Sequence, residues 1–222
     1  MNEAYVVDLG LIDYREALDL QHALVAQRLA GDVPDLLLLL EHPHVVTLGR
    51  RGTKADVLDP SLPVVEVERG GEATYHGPGQ LVGYPIVRLA DRLDVKRYVR
   101  DLEEVLIGAS RALGVTAERD PRQSGVWVGG KKLGSIGVAV RRDVTYHGFA
   151  HNVNTDLAYF RKIRPCGFDG SIMTSVAREL GRAVSMEGVK REVITAFARR
   201  FDRSLRVIPA EELSTRPSLG SS

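Results

Sequence analysis

Cysteine is nearly missing from this sequence: Cys166 is the only one in 222 residues. A single thiol closes no internal disulfide, and a zinc site made of cysteines alone is excluded. Long apolar runs are missing too. The longest, Leu36 to Leu40, falls far short of the roughly 20 residues that a membrane-spanning helix requires, so no membrane span is expected. An excess of one charge is also absent, because 30 basic and 29 acidic residues nearly cancel. That balance argues against a broad electrostatic surface for nucleic acid or for membrane. Met1-Asn2-Glu3-Ala4 has no basic run leading into an apolar core, so no secretory signal is read there and a cytoplasmic protein is expected. With 44% hydrophobic residues the chain can bury one core, and a single domain is expected over residues 1–208. From Pro209 onward Ser, Thr, Gly and Pro dominate, and 209–222 is expected to be a flexible tail.

What is present reads as strands mixed with capped helices. Tyr5 to Leu9 predicts a strand, and Asp13 with Glu16 three residues on predicts a helix start. Ala17, Leu20, Leu24 and Val25 recur at helical spacing until Gly31. Leu36 to Leu40 does not alternate, which suits a strand buried on both faces. Val45 to Leu48 and Val64 to Glu68 predict further strands; Arg69 to Gln80 reads as a loop, followed by a strand over Leu81 to Leu89. Asp94 caps a helix that carries Tyr98, Leu102, Val105, Leu106 and Leu113 and ends at Gly114. Gly125 to Val128, a Gly129-Gly130 turn, and Leu133 to Val140 predict a β-hairpin. A strand near Phe149 to Val153 and helices over Thr174 to Leu180 and Ser185 to Phe201 complete the pattern. Such a mixture indicates an α/β (α+β) fold rather than a regular βαβ alternation.

Several familiar sites are absent. Gly129-Gly130-Lys131-Lys132 lacks the spacing and the Ser or Thr of a phosphate-binding loop. Ser135 has Leu133 where a serine-hydrolase elbow needs glycine. His147 and His151 are four apart, a metal-ligand spacing on a helix, but Gly148, Asn152 and Asn154 favour extended chain and no acid follows His147. No metal is expected.

The candidates that remain centre on Arg164-Pro165-Cys166-Gly167. Pro165 pushes Arg164 away from helix, so the thiol is expected on a loop. A thiolate is a strong nucleophile and a good leaving group, suited to holding an acyl group briefly; the competing reading is a buried structural cysteine. The Arg69 to Gln80 loop is rich in glycine, which lets backbone approach a ligand closely, and Arg69, Tyr75 and His76 are unusual in a mere surface turn. Lys131 or Lys132, if turned inward, would either lower the thiol pKa from its ordinary value of about 8.5 or act as a base after losing its proton. Both routes stay open.

These segments together resemble the octanoyltransferases of lipoate biosynthesis. The resemblance rests on Glu41-His42-Pro43 with Thr47-Leu48-Gly49, on the whole run Arg69 to Gln80, and on Lys132 to Gly137. It extends to His147 to Ala150 with Asn152, and to Pro165-Cys166-Gly167. It implies the mixed-sheet fold of the biotin/lipoate protein ligase group, with helices flanking the sheets. It implies transfer of an octanoyl group from octanoyl-acyl carrier protein to a lysine of lipoyl domains, those of 2-oxoacid dehydrogenases and the glycine cleavage H protein. Cys166 would be the acyl-thioester nucleophile and Lys132 its partner. Arg69, Gly70, Gly71, Glu72, Ala73, Thr74, Tyr75 and His76 would bind the acyl substrate. Ser135, Ile136 and Gly137 would share that role with Gly148, Phe149 and Ala150. No cofactor is implied. The alternative within the same group is an ATP-dependent lipoate or biotin protein ligase. His151 stands where an apolar residue is expected, which would make the acyl pocket more polar. Arg141 and Arg142 are the expected docking patch for an acidic carrier protein.

Overall fold

The computed structural model describes residues 2–90, 94–121, 123–164 and 169–214. The chain opens with β1 (Asn2–Leu11) and helix α1 (Tyr14–Ala30). Strands β2 (Asp35–Glu41), β3 (Val45–Leu48), β4 (Val64–Glu66), β5 (Ala73–His76) and β6 (Gln80–Ile86) follow. After α2 (Val95–Ala112) come β7 (Glu118–Asp120), β8 (Gln123–Val128), β9 (Lys131–Arg141) and β10 (Val144–Asn152). Helices α3 (Val176–Leu180) and α4 (Met186–Phe201), strand β11 (Arg203–Val207) and the short α5 (Glu211–Ser214) close the described chain.

Eight strands form one sheet in the order β11-β1-β2-β6-β10-β9-β8-β7, and β4-β3-β5 form a second. β1 runs parallel to both of its neighbours, whereas β2, β6, β10, β9 and β8 pair antiparallel in turn. The unbroken leucine run is explained by this geometry. Leu37 and Leu39 of β2 face the core shared with α2 and α4, while Leu36, Leu38 and Leu40 face the core under α1. Side chains alternate between faces, so a strand covered on both sides has no polar position. Each such leucine contributes roughly 1.5–3 kcal/mol of burial.

The local signals are realised closely. Asp13 accepts from the N–H groups of Arg15 and Glu16, and Gly31 ends α1 with φ 91°. Ser175 and Ser185 cap α3 and α4. Gly129 and Gly130 carry φ 53° and 76°, the doubly positive pair that a tight hairpin turn demands.

Four expectations need correction. The Arg69 to Gln80 segment is not all loop: Ala73–His76 forms β5, paired antiparallel with Val45–Leu48 and wholly buried. Glycine and proline on either side conceal a β-forming Ala-Thr-Tyr-His core. The last strand of the second hairpin starts at Val144, not near Phe149, because its turn at Arg142 and Asp143 contains no glycine. Strand β11 was not expected; it pairs with β1 across most of the chain length. Regular structure also continues past Pro209, where α5 buries Leu213 against the α1-side core. Residues 215–222 lie outside the described residues.

Candidate functional site

The site forms where the glycine-rich segment crosses the large sheet. In the β9–β10 ladder Gly137 lies opposite Gly148, Ile136 opposite Phe149, and Ser135 opposite Ala150. Two of the expected segments therefore form one continuous floor. Gly70 N–H donates to Val138 O at 2.9 Å, which lays the third segment over that floor. The approach needs glycine: a Cβ on Gly137 would sit 3.0 Å from both Arg69 Cδ and Gly70 O, and one on Gly148 would sit 2.2 Å from Gly83 O. β8 pairs with β9 only as far as Gly134. Because Val138 turns its carbonyl away from β10 towards Gly70, the peptide of Ile136, two residues back, faces the same side. That side is the cleft between β8 and the glycine-rich segment.

One pocket is lined by Arg69, Gly70, Gly71, Thr74 and His76, by Ser135 to Gly137 and by Gly148 to Ala150. Lys132 also enters this wall. Three other expected residues do not. Glu72 turns towards Arg51, with Nε to Oε1 3.7 Å, and Ala73 packs in the small-sheet core. The Tyr75 hydroxyl bonds His44 Nδ1 at 2.7 Å, and its ring stacks on Tyr159.

Lys131 and Lys132 have opposite environments: Lys131 is exposed, while Lys132 is 5% exposed. Lys132 Nζ donates to Gln123 Oε1 at 2.6 Å and lies 5.4 Å from the Trp127 ring centroid. Its main-chain carbonyl accepts from Thr174 N–H at 2.9 Å, joining the hairpin to the chain just after the cysteine segment. Cys166 lies outside the described residues. On one side of that segment Arg164 N–H donates to Asp56 O at 2.8 Å; on the other Asp169 accepts from Ser171 N–H at 2.8 Å.

Sequence reasoning missed Tyr14 and Tyr84, and it took His147 as a candidate metal ligand and as part of a matched segment but not as a substrate-binding residue; all three line the pocket. They belong to a neutral, proton-ordered wall. His42 Nδ1 donates to Ile12 O at 2.8 Å, so its Nε2 accepts from the Tyr84 hydroxyl, also at 2.8 Å. Tyr14 packs on the same imidazole, with its ring centroid 4.9 Å from that of His42. Gln80 donates its amide N–H to Tyr75 O and Asn152 Oδ1, so its Oε1 accepts from His76 Nδ1. His76 Nε2 then faces the Thr47 hydroxyl at 3.4 Å, and Thr47 Oγ1 accepts from Arg69. Burial pushes His42 down to about 4 and His76 well below its ordinary value, and it raises Tyr14 to about 12. At neutral pH the imidazoles are uncharged and the phenols keep their protons.

His147 and His151 do not converge. His147 has φ 55° and is fixed by its N–H to Gln21 Oε1 at 2.7 Å; neither ring nitrogen hydrogen-bonds a described residue. His151 lies on the α2 side, with Nε2 3.4 Å from Ser110 Oγ, and it is not part of the pocket wall. The expectation of a more polar acyl pocket is therefore corrected. No three His, Cys, Asp or Glu side chains among the described residues come together to hold a metal ion. Among them, too, no helix is long and apolar enough to cross a membrane. Arg141 and Arg142 sit at the opposite end of β9 from Lys132, roughly 30 Å away at strand rise.

Residues 13–198 match the family described as the lipoyl protein ligase A/B catalytic domain. The chain is 49% identical over 206 residues to the octanoyltransferase of Geobacter metallireducens, covering 92% of this chain and 97% of that one. It is 49% identical over 197 residues to the octanoyltransferase of Rubrobacter xylanophilus, covering 85% and 89%. Its fold is similar to that of a lipoate-protein ligase A bound with ATP, with TM-score 0.82, 20% identity, and coverage of 96% and 92%. A putative lipoate protein ligase from T. acidophilum with bound lipoic acid superposes with TM-score 0.79 at 20% identity, covering 96% and 93%.

Proposed function

The chain belongs to the lipoyl protein ligase A/B catalytic domain family, and from that premise we propose that it is an octanoyltransferase of lipoate biosynthesis. The donor in this reading is octanoyl-acyl carrier protein, and the acceptor is the lysine amine of lipoyl domains, in the cytoplasm. Residues 1–208 would form the catalytic domain. The observation that carries the reading is Lys132, a lysine at a hairpin tip that turns inward into the pocket lined by the acyl-binding segments.

The chemistry closes without a cofactor. The Cys166 thiolate attacks the thioester carbonyl of the donor, a new C–S bond forms, and the bond to the carrier sulfur breaks. Lys132, as ammonium, gives its proton to the departing carrier thiolate and is left as a neutral amine. The acceptor amine then attacks the Cys166 thioester, Lys132 takes the proton released, and Cys166 leaves as thiolate. The enzyme returns to its starting state. The first exchange is nearly balanced in free energy and the second runs downhill, because an amide is more stable than a thioester. The Ile136 N–H, on the cleft side of β9, would donate to the acyl carbonyl oxygen as charge builds there.

The test is incubation with octanoyl-acyl carrier protein and apo lipoyl domain without nucleotide. Octanoyl-lysine should form, and the intact mass of the enzyme should rise by one octanoyl group. A strict requirement for ATP would favour the ligase reading instead.

A further inference from the structure

Beside Lys132 stands a side chain that no motif singles out. We propose that Gln123 is a positioning residue for Lys132, fixing where its amine sits and how readily it releases a proton. The inference rests on the acyl-transfer reading above.

The contact is direct, at 2.6 Å from Nζ to Oε1. An ammonium only donates, so the amide presents its oxygen and the contact fixes the orientation of the Gln123 side chain. Gln123 is itself held. Its main-chain carbonyl accepts from Trp127 Nε1 at 3.2 Å, and the same indole lies against the lysine ammonium. Independent support comes from α2. Glu103 is buried, and it accepts from Gly125 N–H at 3.0 Å through one oxygen and from Arg119 Nε at 2.7 Å through the other. That clamp fixes the start of β8 two residues from Gln123. Gly125 has φ 131°, and a Cβ there would come within 2.9 Å of Lys132 Cε, so the lysine stem passes over a position that only glycine leaves clear.

The residue type fits the proposed cycle. Burial favours the neutral amine, whereas a carbonyl oxygen at hydrogen-bond distance favours the ammonium. A group that donates a proton in one half-reaction and accepts one in the next needs both forms within reach. A carboxylate at position 123 would hold the ammonium too strongly, and an apolar side chain would remove one of the contacts that oppose burial. A neutral acceptor lies between them.

The experiment compares wild type, Gln123→Ala and Gln123→Glu in single-turnover loading and discharge from pH 6 to 9, with the same donor and lipoyl domain. Titration of the acceptor lysine is then common to all three. Gln123→Glu is nearly isosteric and remains informative if the alanine variant folds poorly. The pH limb of discharge should move up by about one unit in Gln123→Glu and down in Gln123→Ala. Discharge should slow by about tenfold or more in Gln123→Glu at pH 7, with the KM for the lipoyl domain unchanged. A merely structural role would slow both variants without moving the limb in opposite directions. If wild type takes up no octanoyl group, the transfer reading itself is wrong. If wild type loads and discharges while the variants keep its pH limb, Gln123 does not position Lys132.

Discussion

Arg69 and Thr47 are joined twice through one nitrogen: Nη2 donates to the Thr47 carbonyl at 2.8 Å and to its hydroxyl at 2.7 Å. The same guanidinium donates to Gly70 O and Glu72 O. A residue expected to bind substrate thus also holds the glycine-rich segment to β3. Arg69→Lys keeps the charge but cannot reproduce the planar fork. Urea unfolding should show a loss of about 2 kcal/mol, the scale of a buried hydrogen bond to a charged group. The KM for the acyl donor should rise with it. A variant as stable as wild type would show that the fork is dispensable.

The covalent intermediate is the second prediction. An octanoyl adduct on the only cysteine should be cleaved by hydroxylamine and should be missing from Cys166→Ala. An adduct that persists in that variant removes Cys166 as the acyl carrier.

Lys132→Ala separates the two half-reactions. A thiolate is a good leaving group even without an acid, but an acceptor ammonium cannot attack until it loses a proton. The variant should therefore load slowly, recover part of that rate as pH rises, and discharge more slowly still. Loading that is poor while discharge stays at the wild-type rate would confine Lys132 to thiol activation.

Acid stability should depend on the buried histidines. Burial lowers His42, His147 and His151 to about 4 from an ordinary value of 6.5. Below pH 6.5 the unfolded chain takes up protons that the folded chain refuses, so stability falls as pH drops from 6.5 and levels off near 4. At pH 5 the loss is about 2 kcal/mol per histidine. His151→Val should lessen the fall between pH 7 and 5 by about that amount while leaving activity near wild type, because His151 lies outside the pocket wall. Denaturant unfolding at the two pH values decides it; an unchanged slope would mean that His151 is protonated in the native state.

Arg141→Glu/Arg142→Glu should leave the KM for the carrier substrate and its dependence on salt unchanged, since both side chains are exposed at the end of β9 remote from Lys132. A rise in KM would place the carrier across the whole length of the strand.

Where the information is local, the sequence is easily read. Asp13 and Gly31 mark α1 because capping acts within one turn, and Gly129-Gly130 marks a hairpin because its dihedrals forbid most other residues. The doubly buried leucines of β2 need only the chemistry of their own side chains. Pairing over distance is not local. β5 is defined by β3 lying beside it, and β11 by a strand near the other end of the chain. Tyr14 and Tyr84 reach the pocket because α1 crosses β6, a crossing that no short motif encodes. Whether Lys131 or Lys132 turns inward depends on strand register, where a shift of one residue exchanges the two faces. The resemblance to a family identified Lys132, but its amide neighbour Gln123 belongs to none of the matched motifs.

The parallel pairing of Asn2 with Arg203 also sets an order of events during synthesis. About two hundred residues must be made between β1 and the strand that covers its outer edge. Until then that edge shows unpaired N–H and C=O groups beside the apolar Tyr5, Val6 and Val7, a template for association with other nascent chains. Closure by β11 comes late and joins distant parts of the chain, which is slow. A ribosome stalled within α4 would hold a chain that carries the Cys166 and Lys132 segments and yet leaves that edge uncovered. Chaperone dependence should therefore track the last strand rather than the segments around Cys166 and Lys132.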